Sequence, residues 1–129
     1  MPLLRHLRIP ALCCSLAVLL CELVARPYTT MGVCDDGPYI LMAQHLAATG
    51  HIVYNGWAAA MILAQLYLGA AFIKLFGFSY TTVRMSTLLI AVILAFVLQR
   101  TLVRAGISER NASLGTLALV TPSVAVWLQ

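Results

Sequence analysis

The chain has 129 residues, of which 62% are hydrophobic and 9% are charged. Soluble domains usually carry about 25% charged residues, so the composition excludes an ordinary water-surrounded globule and points to a membrane protein. The net charge of +4 does not indicate nucleic acid, because the basic residues flank apolar runs and form no continuous patch; anionic lipid is the partner that fits.

Arg5 and Arg8 precede an apolar run that is expected to cross the membrane over residues 9–26. Crossing a hydrocarbon core of roughly 30 Å takes about 20 helical residues. Leu23, Ala25 and Arg26 make a poor small-residue cleavage site, so the run reads as a retained anchor rather than a cleaved leader. Cys13, Cys14 and Cys21 within it read as small buried hydrophobes. Glu22, near its far end, is either a functional group or a side chain reaching the interface. Cys34 has no evident partner for a disulfide.

Residues 27–57 are expected to form an extracytoplasmic loop. Within it a helix is predicted over 37–49. Asp36 can cap it, Gly37-Pro38 suit its first turn, and Gly50 supplies the stop. Tyr39, Met42, Ala43 and Leu46 recur at helical spacing and form an apolar stripe, suited to a membrane surface. The turn Tyr54-Asn55-Gly56 follows, and Trp57 suits the interface. Residues 58–76 are expected to be a juxtamembrane or re-entrant helix, interrupted by Gln65 and Lys74. A second span is predicted over 81–99, a basic cytoplasmic loop over 100–110 with its break at Gly106, and a third span over 111–129. Asn111-Ala112-Ser113 matches the glycosylation sequon and reads as chance. The run ending at Trp127-Leu128-Gln129 is apolar to its last residues, so a longer protein is expected.

Charge sets the expected topology, because positive residues favour the cytoplasmic side. With three spans, Arg5, Arg8, Arg100, Arg104 and Arg110 lie inside, and Arg26, Lys74 and Arg84 lie outside. If 58–76 also crossed, the two sides would balance. The preferred reading is an all-α, polytopic helical membrane protein with extracytoplasmic juxtamembrane helices. It sits in the inner (plasma) membrane with its amino terminus in the cytoplasm.

Asp35 and Asp36 are half of the four acidic residues in the chain. Either would cost on the order of 2.5–3.5 kcal/mol at a bilayer centre, so the pair belongs in water or in a polar cavity. Three uses are open to it. One carboxylate can act as a general base on an attacking hydroxyl or amine. The pair can hold a divalent cation that binds a phosphate leaving group. Or Asp36 caps the helix and Asp35 is a solvated loop acid.

The stretch Asp35-Asp36-Gly37-Pro38-Tyr39-Ile40-Leu41-Met42-Ala43, placed after a first apolar span, resembles the start of the GT-C membrane glycosyltransferases. The closest likeness is to the branch that holds dolichyl-phosphate-mannose–protein mannosyltransferases and bacterial aminoarabinose transferases. Leu66-Tyr67-Leu68 and Lys74-Leu75-Phe76-Gly77 resemble that family's second juxtamembrane segment, and Arg84-Met85-Ser86 the start of its second span. The ordered blocks cover about residues 10 to 122. The resemblance implies a polytopic enzyme with a GT-C-like amino-terminal region. Such an enzyme takes a sugar from a polyprenyl-phosphate-linked donor and transfers it at the extracytoplasmic face, with the acceptor left open. It makes Asp35 the catalytic carboxylate and Asp36 its partner, where the family more often has glutamate. Tyr39, Lys74 and Arg84 become candidate substrate contacts. Ala58-Ala59-Ala60 stands where many members have prolines. The alternative reading is a small non-enzymatic membrane subunit or anchor protein.

Overall fold

The structure, a computed structural model, describes residues 8–24, 36–54, 56 and 63–125, the side chains of Asp36 and of 121–125 excepted. Arg5, Arg26, Cys34, Asp35, Asn55, Trp57, Ala58-Ala59-Ala60 and residues 126–129 lie outside it. Among the described residues the fold is all-helical, with five helices and no strand: α1 Ile9–Val24, α2 Asp36–Thr49, α3 Leu63–Phe76, α4 Tyr80–Arg104 and α5 Glu109–Ala125.

Glycine and serine punctuate the elements. Gly50, at φ 75°, closes α2 in the left-handed region, and its N–H donates to the Leu46 carbonyl at 2.9 Å. Ser79 caps α4: its Oγ accepts from the Thr82 N–H at 2.9 Å. The far end of α4 is a Schellman close around Gly106, where the Gly106 N–H donates to Val103 and the Ile107 N–H to Leu102. Ser108 then caps α5 through the Asn111 N–H. The helix therefore continues through Arg104, five residues past the predicted span 81–99, and the turn shrinks to 105–108. Arg100 and Arg104 read as loop residues by charge. They are good helix formers in a basic last turn, and they favour the negative end of the helix dipole.

Three spans are expected, but among the described residues only α4 is long and apolar enough to cross a membrane. Its 25 residues rise about 37 Å, and only 17% of its apolar window is buried within the protein. α1 and α3 are shorter apolar helices.

The chain packs as two compact units. The first holds α1, the α4 residues from Leu88 onward, and α5. Its contacts run through mostly small side chains at helical spacing: Ala11, Cys14, Ser15 and Val18 on α1, Ala95 on α4, Ala112, Thr116 and Val120 on α5, all buried, with the larger Gln99 of α4 buried among them. The large residues lie outside. Leu12, Leu16, Leu20, Ile93, Leu94 and Leu119 are each more than half exposed. Water-soluble folds bury such residues; a hydrocarbon solvent gives no reason to hide them, and close backbone approach drives packing instead. Of the three cysteines expected to be buried, only Cys14 is; Cys13 is exposed and Cys21 half-buried.

The second unit holds α2, α3 and the first turns of α4 up to Thr87. The α2 stripe is buried as the spacing predicts, with Met42, Ala43 and Leu46 each below 5% exposure and Ile40 joining them. It is covered by Leu66 and Ala70 of α3 and Val83 of α4, not left to rest on a membrane surface. Gly69 is the point of closest approach. A Cβ there would meet Ala43 Cβ and Val83 Cγ1, both at 3.3 Å. The Ala43 methyl has no rotamer to escape to, so the α2 backbone would have to move. Gly69→Ala is expected to cost about 1–3 kcal/mol through overpacking, read as a lowered Tm for loss of helical circular dichroism. The exposed change Ala64→Gly is expected to cost about 1 kcal/mol or less. An unchanged Tm for Gly69→Ala would mean that the two helices stand further apart.

Candidate functional site

Of the residues singled out from the sequence, Asp36, Tyr39, Lys74 and Arg84 belong to the second unit; Asp35 lies outside the described residues. Asp36 is the first residue of α2, one position earlier than the predicted helix start, and Pro38 falls inside the first turn, where its missing N–H costs nothing. Asp35 immediately precedes the helix in sequence. Tyr39, one turn on, is half-buried and packs against the cluster of Ile40, Met42, Ala43, Leu46, Leu66, Ala70 and Val83. Tyr80 packs on the same cluster from α4. Arg84, half-buried one turn beyond Tyr80, holds its guanidinium 5.9 Å from the Tyr80 ring centroid in a cation–π contact.

Lys74 lies elsewhere. It lines a shallow cleft of about 260 Å³ with Leu46, Gly50, Tyr67, Ala70 and Ala71. Leu46 and Gly50 are at the end of α2 away from the acids, so Lys74 stands some ten residues along that helix from Asp36, about 15 Å. It is exposed in the last turn of α3 and beside the carboxy-terminal end of α2. Both helix ends carry partial negative charge, which accounts for the lysine without a ligand. Lys74 thus stands toward the end of α2 opposite its first residue.

A divalent cation at Asp35 and Asp36 would have two protein carboxylates. That is a donor set suited to Mg²⁺ completed by water and phosphate oxygens. Among the described residues no group of three or more His, Cys, Asp or Glu side chains comes together. His45 and His51 are exposed, near the far end of α2; there Thr49 Oγ1 donates to the His45 carbonyl at 2.9 Å and accepts from the His51 N–H at 3.2 Å.

No family model, curated protein or solved structure matches this chain.

The first unit holds polar residues that the sequence reading does not single out. Ser15 Oγ donates across to the Val92 carbonyl at 3.0 Å, and Cys14 Sγ reaches the Ser113 carbonyl at 3.9 Å. Gln99 is fully buried; its Nε2 lies 3.5 Å from Ser113 Oγ, and its Oε1 has no hydrogen-bond partner. The signal for the seam is the recurrence of small residues at 11, 14, 15 and 18 and at 112 and 116, which reads as a helix-packing face. Ser113, held there on α5, is also the last residue of the sequon, which lies within a helix rather than a loop.

A buried amide oxygen without a donor costs about 1–3 kcal/mol. Gln99→Met keeps the shape and removes that oxygen, so its Tm is expected to equal or exceed that of the native chain. Gln99→Glu puts an unpaired carboxyl in the same place and is expected to lower the Tm. Equal losses for both would show that the amide makes a bond absent from this arrangement.

Proposed function

We propose that the chain is the amino-terminal part of an integral-membrane glycosyltransferase of the GT-C type. It moves a sugar from a polyprenyl-phosphate donor to an acceptor on the extracytoplasmic face. The observation that carries this reading is the order of helices around the acid pair. An apolar helix comes first, then the acids, then two short helices packed on each other, then a long apolar helix. That order matches the blocks from Asp35 to Ser86 on which the resemblance rests.

In this reading Asp35 is the catalytic base. It takes the proton from the acceptor hydroxyl or amine as that atom attacks the anomeric carbon, and the polyprenyl phosphate leaves with the electron pair of the broken bond. Asp36 is its partner, and a divalent cation at the pair would neutralise the departing phosphate. Tyr39, Lys74 and Arg84 are the candidate substrate contacts in this reading, with Tyr39 and Arg84 beside the core cluster of the unit and Lys74 toward the carboxy-terminal end of α2. The arginine balance supports a multi-pass arrangement in the plasma membrane with a cytoplasmic amino terminus.

A second reading, a non-enzymatic subunit or anchor, draws on the exposed leucines of α1. Leu12, Leu16, Leu20 and Leu23 line one face, and that face would suit an adjacent protein helix as well as lipid.

The test is transfer from polyprenyl-phosphate-linked sugars in membranes that express the whole reading frame. Asp35→Asn is expected to lower turnover by about 10²–10⁴-fold, the usual contribution of a general base, with helical content and membrane insertion unchanged. Retained turnover would remove Asp35 from the chemistry. Absence of any transfer by the native protein, together with a stoichiometric membrane partner, would favour the subunit.

A further inference from the structure

One end of the first unit gathers arginine. Cys14 reaches the Ser113 carbonyl, and Val18, one turn on, packs with Leu117 and Val120, so α1 and α5 run side by side in the same direction. Gln99 lies beside Ser113, and the short turn 105–108 returns the chain along α4 in the opposite sense. The start of α1, the end of α4 and the start of α5 therefore meet at one end. From the shared level of Cys14, Gln99 and Ser113, Arg8, Arg104 and Arg110 lie about 9, 7.5 and 4.5 Å along their helices. Their heights thus agree to within about 5 Å. All three are exposed, and among the described residues none of them has an ion pair. Arg100 has an interaction of its own and is not counted with them.

The helices do not call for this charge. Arg104 suits the negative end of the α4 dipole, but Arg8 and Arg110 stand at the starts of α1 and α5, where the dipole is positive and disfavours a cation. The acid at this end, Glu109, is half-buried, and its Oε1 has no hydrogen-bond partner. Glu22 stands about four turns, or about 21 Å, along α1 from Arg8. All three cations are arginines, whose planar fork matches a pair of phosphate oxygens. The height also fits. A crossing of about 20 residues that begins at Tyr80 ends at Gln99, which puts Arg104 about 7 Å further out, at the depth of lipid phosphates. Ile9 and Ile107, both exposed, add apolar surface next to the cations.

We propose that this end of the first unit binds a lipid headgroup that carries two phosphates, held by Arg8, Arg104 and Arg110. A single phosphodiester brings one negative charge to three guanidinium groups. Two phosphates on one head bring two, and Glu109 supplies the third. A free diphosphate offers the same chemistry. Lipid is the source favoured, because α4 sets the site at phosphate depth and because isoleucine adjoins it. The inference rests on the membrane reading of α4 and not on any chemistry at the acid pair.

The test is lipid retention by the full chain, purified in mild detergent and read by native mass spectrometry. Cardiolipin is the two-phosphate probe, and phosphatidylglycerol at equal total phosphate is the one-phosphate comparison. The native chain is expected to retain one cardiolipin, and at least about tenfold less phosphatidylglycerol. Arg104→Gln with Arg110→Gln is expected to lower cardiolipin retention at least about tenfold, with helical circular dichroism unchanged. Arg104→Lys with Arg110→Lys keeps the charge without the fork and is expected to fall between; it carries the test if the glutamine pair loses helical signal. Arg26→Gln, which removes charge elsewhere in the sequence, is expected to have no effect. Equal retention of the two lipids, or an equal loss in Arg26→Gln, would overturn the site. Displacement of cardiolipin by an equal concentration of inorganic pyrophosphate would overturn lipid as its source. Alkaline carbonate extraction of the membranes separates the remaining failures. A chain stripped by carbonate would overturn the membrane reading and the site together, whereas a chain that stays in the membrane but holds no cardiolipin would overturn the site alone.

Discussion

Close backbone approach is the constraint on which both units depend, through mostly small side chains in the first and at Gly69, amid larger aliphatic residues, in the second. In the second unit Gly69 lets α3 come within methyl contact of Ala43 and Val83. In the first, Ala11, Ser15, Ala95 and Ala112 leave little between the backbones they line. Where lipid is the solvent, large apolar residues gain nothing by turning inward, so stability comes from dispersion at short range and from the occasional interhelical hydrogen bond. Ser15 to the Val92 carbonyl is such a bond. The same constraint accounts for the exposed leucines of α1, Leu12, Leu16 and Leu20.

The division into two units follows from what each helix has to cover. The α2 stripe is spent on α3 and on Val83, and the α1 stripe on α4 beyond Leu88 and on α5. One continuous helix serves both: its first turns, Tyr80 to Thr87, complete the acid-bearing unit, and the remainder packs in the small-residue unit. A helix shared in this way lets the residues near Asp36 be supported by soluble-style burial. Meanwhile the rest of the chain keeps an apolar exterior.

Much of this was legible along the chain because it is written in local chemistry. Gly50 and Gly106 stop helices for reasons of φ, and the α2 stripe follows from spacing alone. The misreadings share a cause. Arg100 and Arg104 look like loop by charge, yet a helix end welcomes them, so α4 runs on. The α2 stripe looked like a face for lipid because its partner, α3, lies twenty or so residues away and nothing in either pattern names the other. Gln99, Ser15 and Thr116 matter only through the neighbours they acquire on folding, so the sequence pattern left them unremarked. The candidate site is visible as a charge anomaly, but the place of Lys74 beside the carboxy-terminal end of α2 is not, because a cation's sequence position says nothing about which end of a partner helix it will meet.

The start of α2 also changes how its two acids divide their roles. Had the helix begun after Asp36, that residue would have had a sufficient structural reason to exist as a cap, and Asp35 would have been the acid left for chemistry. With Asp36 as the first helical residue, the helix starts one residue earlier than predicted, within the one-residue spread of any helix boundary, and Asp36 is no longer explained as the residue before it. A helix start needs one side-chain acceptor, and the second carboxylate beside it adds repulsion that only a cation, a proton or an aligned dipole can offset. In the transferase reading proposed above, the pair is where an acceptor's proton or a divalent cation would arrive.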